Sequence, residues 1–373
     1  MARQVTSVLA GLCMLAGTGM GETNFELQAV DEEGHCIYPK VDAPPGPDAV
    51  VVVEGICLNN PEDMVNPAFQ WQIFVQGEGD DLGGTAAWAG KFYQSSIWDQ
   101  ELLRLNASGF REGDRVRVTG YAMSVGGKAN INERHSPAPE MDFHVTLLQR
   151  GVGLPEPELT TIQVMNTFDP GRLRGGERYQ CRRIRIDNVI VKQLLDGQWG
   201  RNKDVLIADA ADPDNPDAQI ILALRNVDFG QRSPVGAFRV IGLGNQEPQF
   251  DHGPVPGTGL VDGYQVWVTR ADGIIVAGDA TEDGRVSIAD LAALADNYGL
   301  TEGATWSQGD FNGDGKVGVA DLGALADNYG YGPGPGPAGG GPAVPEPTTT
   351  TLLLAAAAAA LSRTGRPRRR HAT

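Results

Sequence analysis

The chain has 373 residues, with 47 acidic against 30 basic side chains and a formal net charge of −17. That balance argues against a phosphate-backbone binder, which needs a basic face, so nucleic acid is not expected as a partner. The length suits about two domains plus smaller modules once the termini are set aside.

Residues 1–21 place Arg3 before an apolar stretch from Val8 to Ala16 and small residues around Gly19 and Gly21, the layout of a secretory signal peptide. The stretch is too short to cross a bilayer core of about 30 Å as a helix. Leu12 stands where a lipoprotein signal would carry a small residue before Cys13, which argues against lipidation. An N-terminal extension follows over 22–47. The mature chain keeps Cys36, Cys57 and Cys181, an odd count. Two outcomes are open: a Cys36–Cys57 bridge closing a loop of about 20 residues, or three buried thiols.

From Asp48 the chain reads as strands separated by Gly, Pro and Asn turns: DAVVVEGICL, WQIFVQ, ELLRL, DRVRVTGYAM, KANIN and FHVTLL. A second set follows the Pro-rich joint Leu154–Glu158: YQCRRIRIDNVIVKQL, DVLIAD, QIILAL, GAFRVIGLG and YQVWVTR. Each set opens on a long strand with a break, at Glu54-Gly55 and at Asp187-Asn188, and each carries an RV-x-G strand. The pattern suits a small five-stranded barrel over 48–150, a linker over 151–175 and a second barrel over 176–271. The GDRVRVTG run from Gly113 to Gly120 resembles the fourth strand of bacterial extracellular OB-fold modules, which implies OB-like barrels; a β-sandwich is the alternative.

OB barrels bind oligonucleotides or oligosaccharides on the face of strands two and three. Trp71, Phe74, Trp88, Phe92, Tyr93 and Trp98 gather there in the first unit. Alternation puts Trp71, Ile73 and Val75 on one face and Gln72, Phe74 and Gln76 on the other. With the first set in the core, Phe74 and its glutamines would form a stacking platform for a glycan ligand; core packing of the aromatics is the plainer reading.

No catalytic constellation is found. His35, His135, His144, His252 and His371 sit in no metal-ligand spacing, and neither a GxSxG elbow nor a P-loop occurs. Glu133-Arg134-His135 and Asp80-Asp81 read as polar turns.

Near the C-terminus GDATEDGRVSIADLAALADNYG, from Gly278, is followed by GDFNGDGKVGVADLGALADNYG, from Gly309. The leading aspartates, Asp279 and Asp310, lie 31 positions apart, room for one cation loop, one helix and a connector. An oxygen-only cage for a hard cation needs carboxylates and carbonyls at alternating loop positions, a glycine at the sixth and an acid at the twelfth. The first copy supplies Asp279, Thr281, Asp283, the carbonyl of Arg285, Ser287 and Asp290, with Gly284 at the turn. The second supplies Asp310, Asn312, Asp314, the carbonyl of Lys316 and Asp321, with Gly315 at the turn; Gly318 brings no side chain where the first copy has Ser287. Two Ca2+ sites are expected, each followed by an amphipathic helix. The segment from 278 to 331 resembles the type I dockerin, which implies a cohesin-like partner. Ile288-Ala289 and Val319-Ala320 replace the hydroxyl pair with which well-known dockerins read cohesin, so a module that only stabilises its own chain is the other reading.

A Gly/Pro linker over 332–343 leads to Pro345-Glu346-Pro347, an apolar run from Thr348 to Leu361 and an arginine cluster from Arg363 to Arg370. The order resembles the PEP-CTERM sorting signal, which implies an exosortase-type membrane protease as partner, transient membrane contact and a Gram-negative-type envelope. The expected fold is thus mainly β, two tandem OB-like β-barrels followed by a small all-α dockerin-like double calcium-loop module. The expected protein is an exported, non-catalytic surface or matrix component; the alternatives are a dockerin-bearing part of a polysaccharide-degrading system and an accessory barrel of an extracellular nuclease.

Overall fold

The computed structural model describes residues 22–37, 50–65, 70–90, 109–125, 127–132, 143–248 and 262–333. Outside them lie the expected signal peptide, the ELLRL segment, Phe92, Tyr93, Trp98, Glu133 to His135, His252, most of the Gly/Pro-rich stretch and the expected sorting motif. Within them the chain is mainly β and forms two closed five-stranded barrels.

The first barrel is built from β1 (Val50–Cys57), β2 (Gln70–Gln76), β3 (Gly84–Gly90), β4 (Arg115–Val125) and β5 (Lys128–Asn132). Their order is β1-β2-β3-β5-β4, and β4 returns to β1 in an antiparallel register from Val50↔Tyr121 to Ile56↔Arg115. β3 and β5 run parallel. A further strand, β6 (His144–Gln149), lies along β4. The period-two pattern sends Val51, Val53, Trp71, Ile73, Val75, Val116 and Val118 into one core. Trp71 meets Phe110 and Phe143 edge-on, with centroids 5.3 and 6.1 Å away.

The second barrel repeats the topology. After β7 (Glu158–Thr160) come β8 (Arg183–Leu194), β9 (Lys203–Asp209), β10 (Gln219–Leu224), β11 (Phe238–Pro248) and β12 (Asp262–Val268), with β13 (Ile274–Val276) at the edge of β11. The order β8-β9-β10-β12-β11 is closed by β11 on β8, and β10 and β12 are the parallel pair. The break expected at Asp187-Asn188 is a β-bulge: Phe238 faces Val189 and Val240 faces Ile186, so two residues stand opposite Arg239. Asn188 takes φ +58° there. In the first barrel the register runs unbroken through Glu54-Gly55; a side chain at Gly55 would strike the Gln76 carbonyl oxygen at 2.2 Å.

Three expectations need correction. The third strand of the first barrel is Gly84–Gly90, where ELLRL was expected. The segment 151–175 is no free linker, since β7 pairs with β8 and the helical turn Ile162–Met165 buries Ile162 and Met165 in the second core. The Phe74 platform does not exist. Phe74 is fully buried and stacks on Trp267 of the second barrel, centroids 5.7 Å apart and planes at 17°. The outer face of β2–β3 is therefore the seam between the barrels: Leu58, Met64, Phe74 and Ala86 meet Cys181, Ala223, Leu243 and Trp267. Lys128, with no exposed surface, lies beside both rings and donates to Asn245 Oδ1 at 2.6 Å and to Glu247. The backbone N–H of Arg183 adds a bond to Gln76 Oε1 at 2.9 Å.

Cys36, Cys57 and Cys181 are buried free thiols, the second of the two outcomes left open. Burial pushes the Cys57 and Cys181 thiols up to about 12. Ellman's reagent is expected to leave both untouched in the native protein and to label them in denaturant; labelling before unfolding would contradict this packing.

Candidate metal centre

Both acidic loops are nests of backbone N–H groups closed around two carboxylates. The first begins where β13 ends: the Asp279 N–H donates to the Val276 carbonyl at 3.0 Å. Asp279 has no exposed surface, and its Oδ1 and Oδ2 accept from the N–H groups of Asp283 (3.2 Å) and Gly284 (3.0 Å). Asp290 arrives from the helix Ile288–Asn297, accepting from Ser287 N–H at 2.8 Å and Thr281 N–H at 3.1 Å. The Thr281 hydroxyl lies between the two carboxylates, 3.4 Å from Asp279 and 3.0 Å from Asp290. Asp283 Oδ1 accepts from Arg285 N–H at 3.0 Å.

The second loop repeats the arrangement. Asp310 accepts from Gly313, Asp314 and Gly315 N–H at 2.8, 3.1 and 2.9 Å. Asp321, from the helix Val319–Asn328, accepts from Phe311 and Gly318 N–H at 2.9 Å each. Asn312 Oδ1 accepts from Asp314 N–H at 2.9 Å, and Lys316 N–H donates to Asp314 Oδ1 at 2.9 Å. In the first loop Asp279 and Asp290 are thus brought together through the Thr281 hydroxyl, whereas the three acids of neither loop converge within 4.8 Å of one another as Asp31, Glu33 and His35 do among the described residues.

The electrostatics are lopsided. Burial first, then the charge of Asp290 and that of Asp283, push the Asp279 carboxyl up to about 7, against the opposing hydrogen bonds from the Gly284 and Asp283 N–H groups. A carboxylate pair with further oxygen donors beside it fits a hard cation. Glu177, buried under the Tyr264 hydroxyl that donates to it at 2.6 Å, is likewise pushed up to about 7 by burial. For both acids the folded state holds a proton between pH ~4 and ~7 that the unfolded chain releases, so stability falls as pH rises through that window. In chelator the protein is expected to be less stable at pH 8 than at pH 5, by on the order of a few kcal/mol in denaturant unfolding; greater stability at pH 8 would refute this.

No protein family, curated protein or solved structure matches this chain.

The mounting of the loops was not legible beforehand. Val286, Leu291, Leu294, Phe311, Val317, Leu325 and Tyr331 belong to the same core as the second barrel. Glu282 holds a left-handed φ of +55° at the fourth loop position, where the second loop uses Gly313, and pairs with Arg239 of β11 at 2.6 Å. Arg239 continues to Asp187 at 3.0 Å. A side chain at Gly284 would strike the Ala271 carbonyl oxygen at 2.6 Å. Asn328 donates to the carbonyls of Ala277 and Val235 at 2.9 and 3.1 Å, and Trp306 Nε1 donates to the Asp279 carbonyl at 2.6 Å. In the sequence these residues look like ordinary repeat positions; only the barrel gives them partners.

The two helices leave matching strips outside. Ile288 is 58% and Val319 77% exposed, Ala289 and Ala292, and Ala320 and Gly323, continue the strips, and the exposed Asp296 and Asp327 end them. Asp31, Glu33 and His35 also lie close together, but they are more open, and Asp31 Oδ1 accepts the N–H groups of Glu33 and His35 as in an ordinary polar turn. A groove of about 960 Å3 over β1 and β4 is lined by the ion pairs Glu54–Arg117 and Glu78–Arg115. Among the described residues no helix is long and apolar enough to cross a membrane.

Proposed function

We propose that this is an exported, non-catalytic calcium-binding protein of the cell surface or extracellular matrix, whose dockerin-like module takes two Ca2+ ions. The observation that carries the reading is the repeated pair of buried acids, Asp279 with Asp290 and Asp310 with Asp321, each fixed by backbone N–H groups and lacking an ion-pair partner among the described residues. Oxygen-only donors at alternating positions suit Ca2+ better than a soft metal. Calcium would supply the positive charge that the site lacks, with Thr281, Asp283, Ser287, Asn312, Asp314 and the carbonyls of Arg285 and Lys316 completing the two sets.

OB-like barrels are supported by the shared strand order with one parallel pair, β3–β5 and β10–β12. The exposed Ile288 and Val319, with small residues beside them, support docking to a cohesin-like protein in addition to a stabilising role. Export through the inner membrane of a Gram-negative-type bacterium and exosortase processing at Pro345-Glu346-Pro347 complete the reading from the sequence. Because Asp279 must lose its proton to bind a cation, uptake at the first loop is expected to weaken about tenfold between pH 8 and pH 6. Equilibrium calcium binding at the two pH values tests this, and equal affinity at both would count against the assignment of Asp279.

A further inference from the structure

We propose that the crevice between the β8 bulge and the second acidic loop binds a single pyranose ring, such as the terminal unit of a glycan, and that binding requires a cation in that loop. The crevice, about 210 Å3, is lined by Asp187, Asn188, Arg239, Trp306, Phe311 and Asn312 among others. It is small for a drug-sized ligand, which restricts it to one ring.

Its chemistry is mixed in the way a polyol needs. Trp306 is half-buried and held rigid, its Nε1 tied to the Asp279 carbonyl, Phe311 edge-on at 5.3 Å and the Arg239 guanidinium 5.2 Å from its ring. It is a fixed apolar wall for the C–H surface of a sugar. Asp187 is oriented by Arg185 Nε at 2.7 Å and Arg239 Nε at 3.0 Å, so its carboxylate has no freedom to lose when a hydroxyl donates to it. The bulge turns Asn188 outward, its left-handed backbone and exposed carboxamide facing solvent. Asn312 supplies a second amide, with its oxygen accepting from Asp314 N–H.

The alternatives fit worse. An anionic ligand would meet Asp187 and the acidic loop, and an apolar one would leave the carboxylate and amides without partners. One wall of the crevice, Asn312 and Gly313, is the cation loop itself. The inference therefore rests on the calcium reading above.

Saturation-transfer NMR on the full mature chain, with methyl glucoside, galactoside, mannoside and rhamnoside at millimolar concentration, tests it beside calcium calorimetry on the same sample. At least one glycoside should receive transfer in calcium and none in chelator. Asn188→Gly keeps the left-handed backbone, removes the amide, and should weaken binding about tenfold. A sample that takes up calcium but binds no glycoside overturns this inference and leaves the calcium reading intact. A sample that takes up no calcium overturns both. Glycoside binding that Asn188→Gly leaves unchanged puts the sugar elsewhere and also overturns the inference.

Discussion

Chelating calcium is expected to lower the melting temperature of the second barrel, and not merely of the two helices, by roughly 10–20 °C. Each site filled at a hundredfold excess over its Kd stabilises the native state by about 2.7 kcal/mol, so two contribute about 5 kcal/mol. The helices are ten residues each and share their buried Leu291, Leu294 and Leu325 with the barrel core. Without an ion Asp279 faces the charge of Asp290, and the first loop is tied to β11 through the Glu282–Arg239 pair. Trp199 reports the event, since it is buried in the barrel, donates to the Phe229 carbonyl and packs 6.4 Å from Tyr331 beyond the second helix. In a Trp306→Phe background, which removes the tryptophan of the module itself, the tryptophan fluorescence and the far-ultraviolet signal should shift together in one transition. A barrel transition indifferent to chelator, with only a small helical signal lost, would show the module to be independent.

Phe74→Ala is expected to cost about 3–5 kcal/mol, the range for emptying a buried aromatic site. The ring fills the seam between the barrels, stacked on Trp267 with Lys128 over both. Removing it leaves a cavity beside a buried ammonium group whose partners, Asn245 and Glu247, belong to the other barrel. Denaturant unfolding of wild type and variant measures the loss. A ligand platform open to water would give a change within about 0.5 kcal/mol, and that result would contradict the buried seam.

The strands that alternation makes plain in the sequence are the ones whose inward residues are large. Trp71, Ile73 and Val75, or Ile184 and Ile186, mark their face by size, and they occupy it in the structure. β3 escaped notice because its Gly84, Ala86, Ala87 and Ala89 carry little of that signal. The structure gives the reason for the small residues: a side chain at Gly84 would strike the Cys181 carbonyl oxygen of the other barrel at 2.2 Å. Phe74 was placed on the correct face of its strand, but a period of two says only that a residue points outward, not what covers it. The two acidic loops stand out in the sequence because their residues lie within twelve positions of one another. Their mounting does not, since Glu282 with Arg239 and Asn328 with Val235 are joined across long stretches of chain that only the fold closes.

The most direct measurement is a calorimetric calcium titration of the mature chain at pH 8, beside Asp279→Asn and Asp310→Asn. Two ions per wild-type chain and one per variant, each variant losing the site of its own loop, is the predicted result. No uptake by the wild type at millimolar calcium, or stoichiometry unchanged in both variants, would contradict the assignment of these loops as the metal centre.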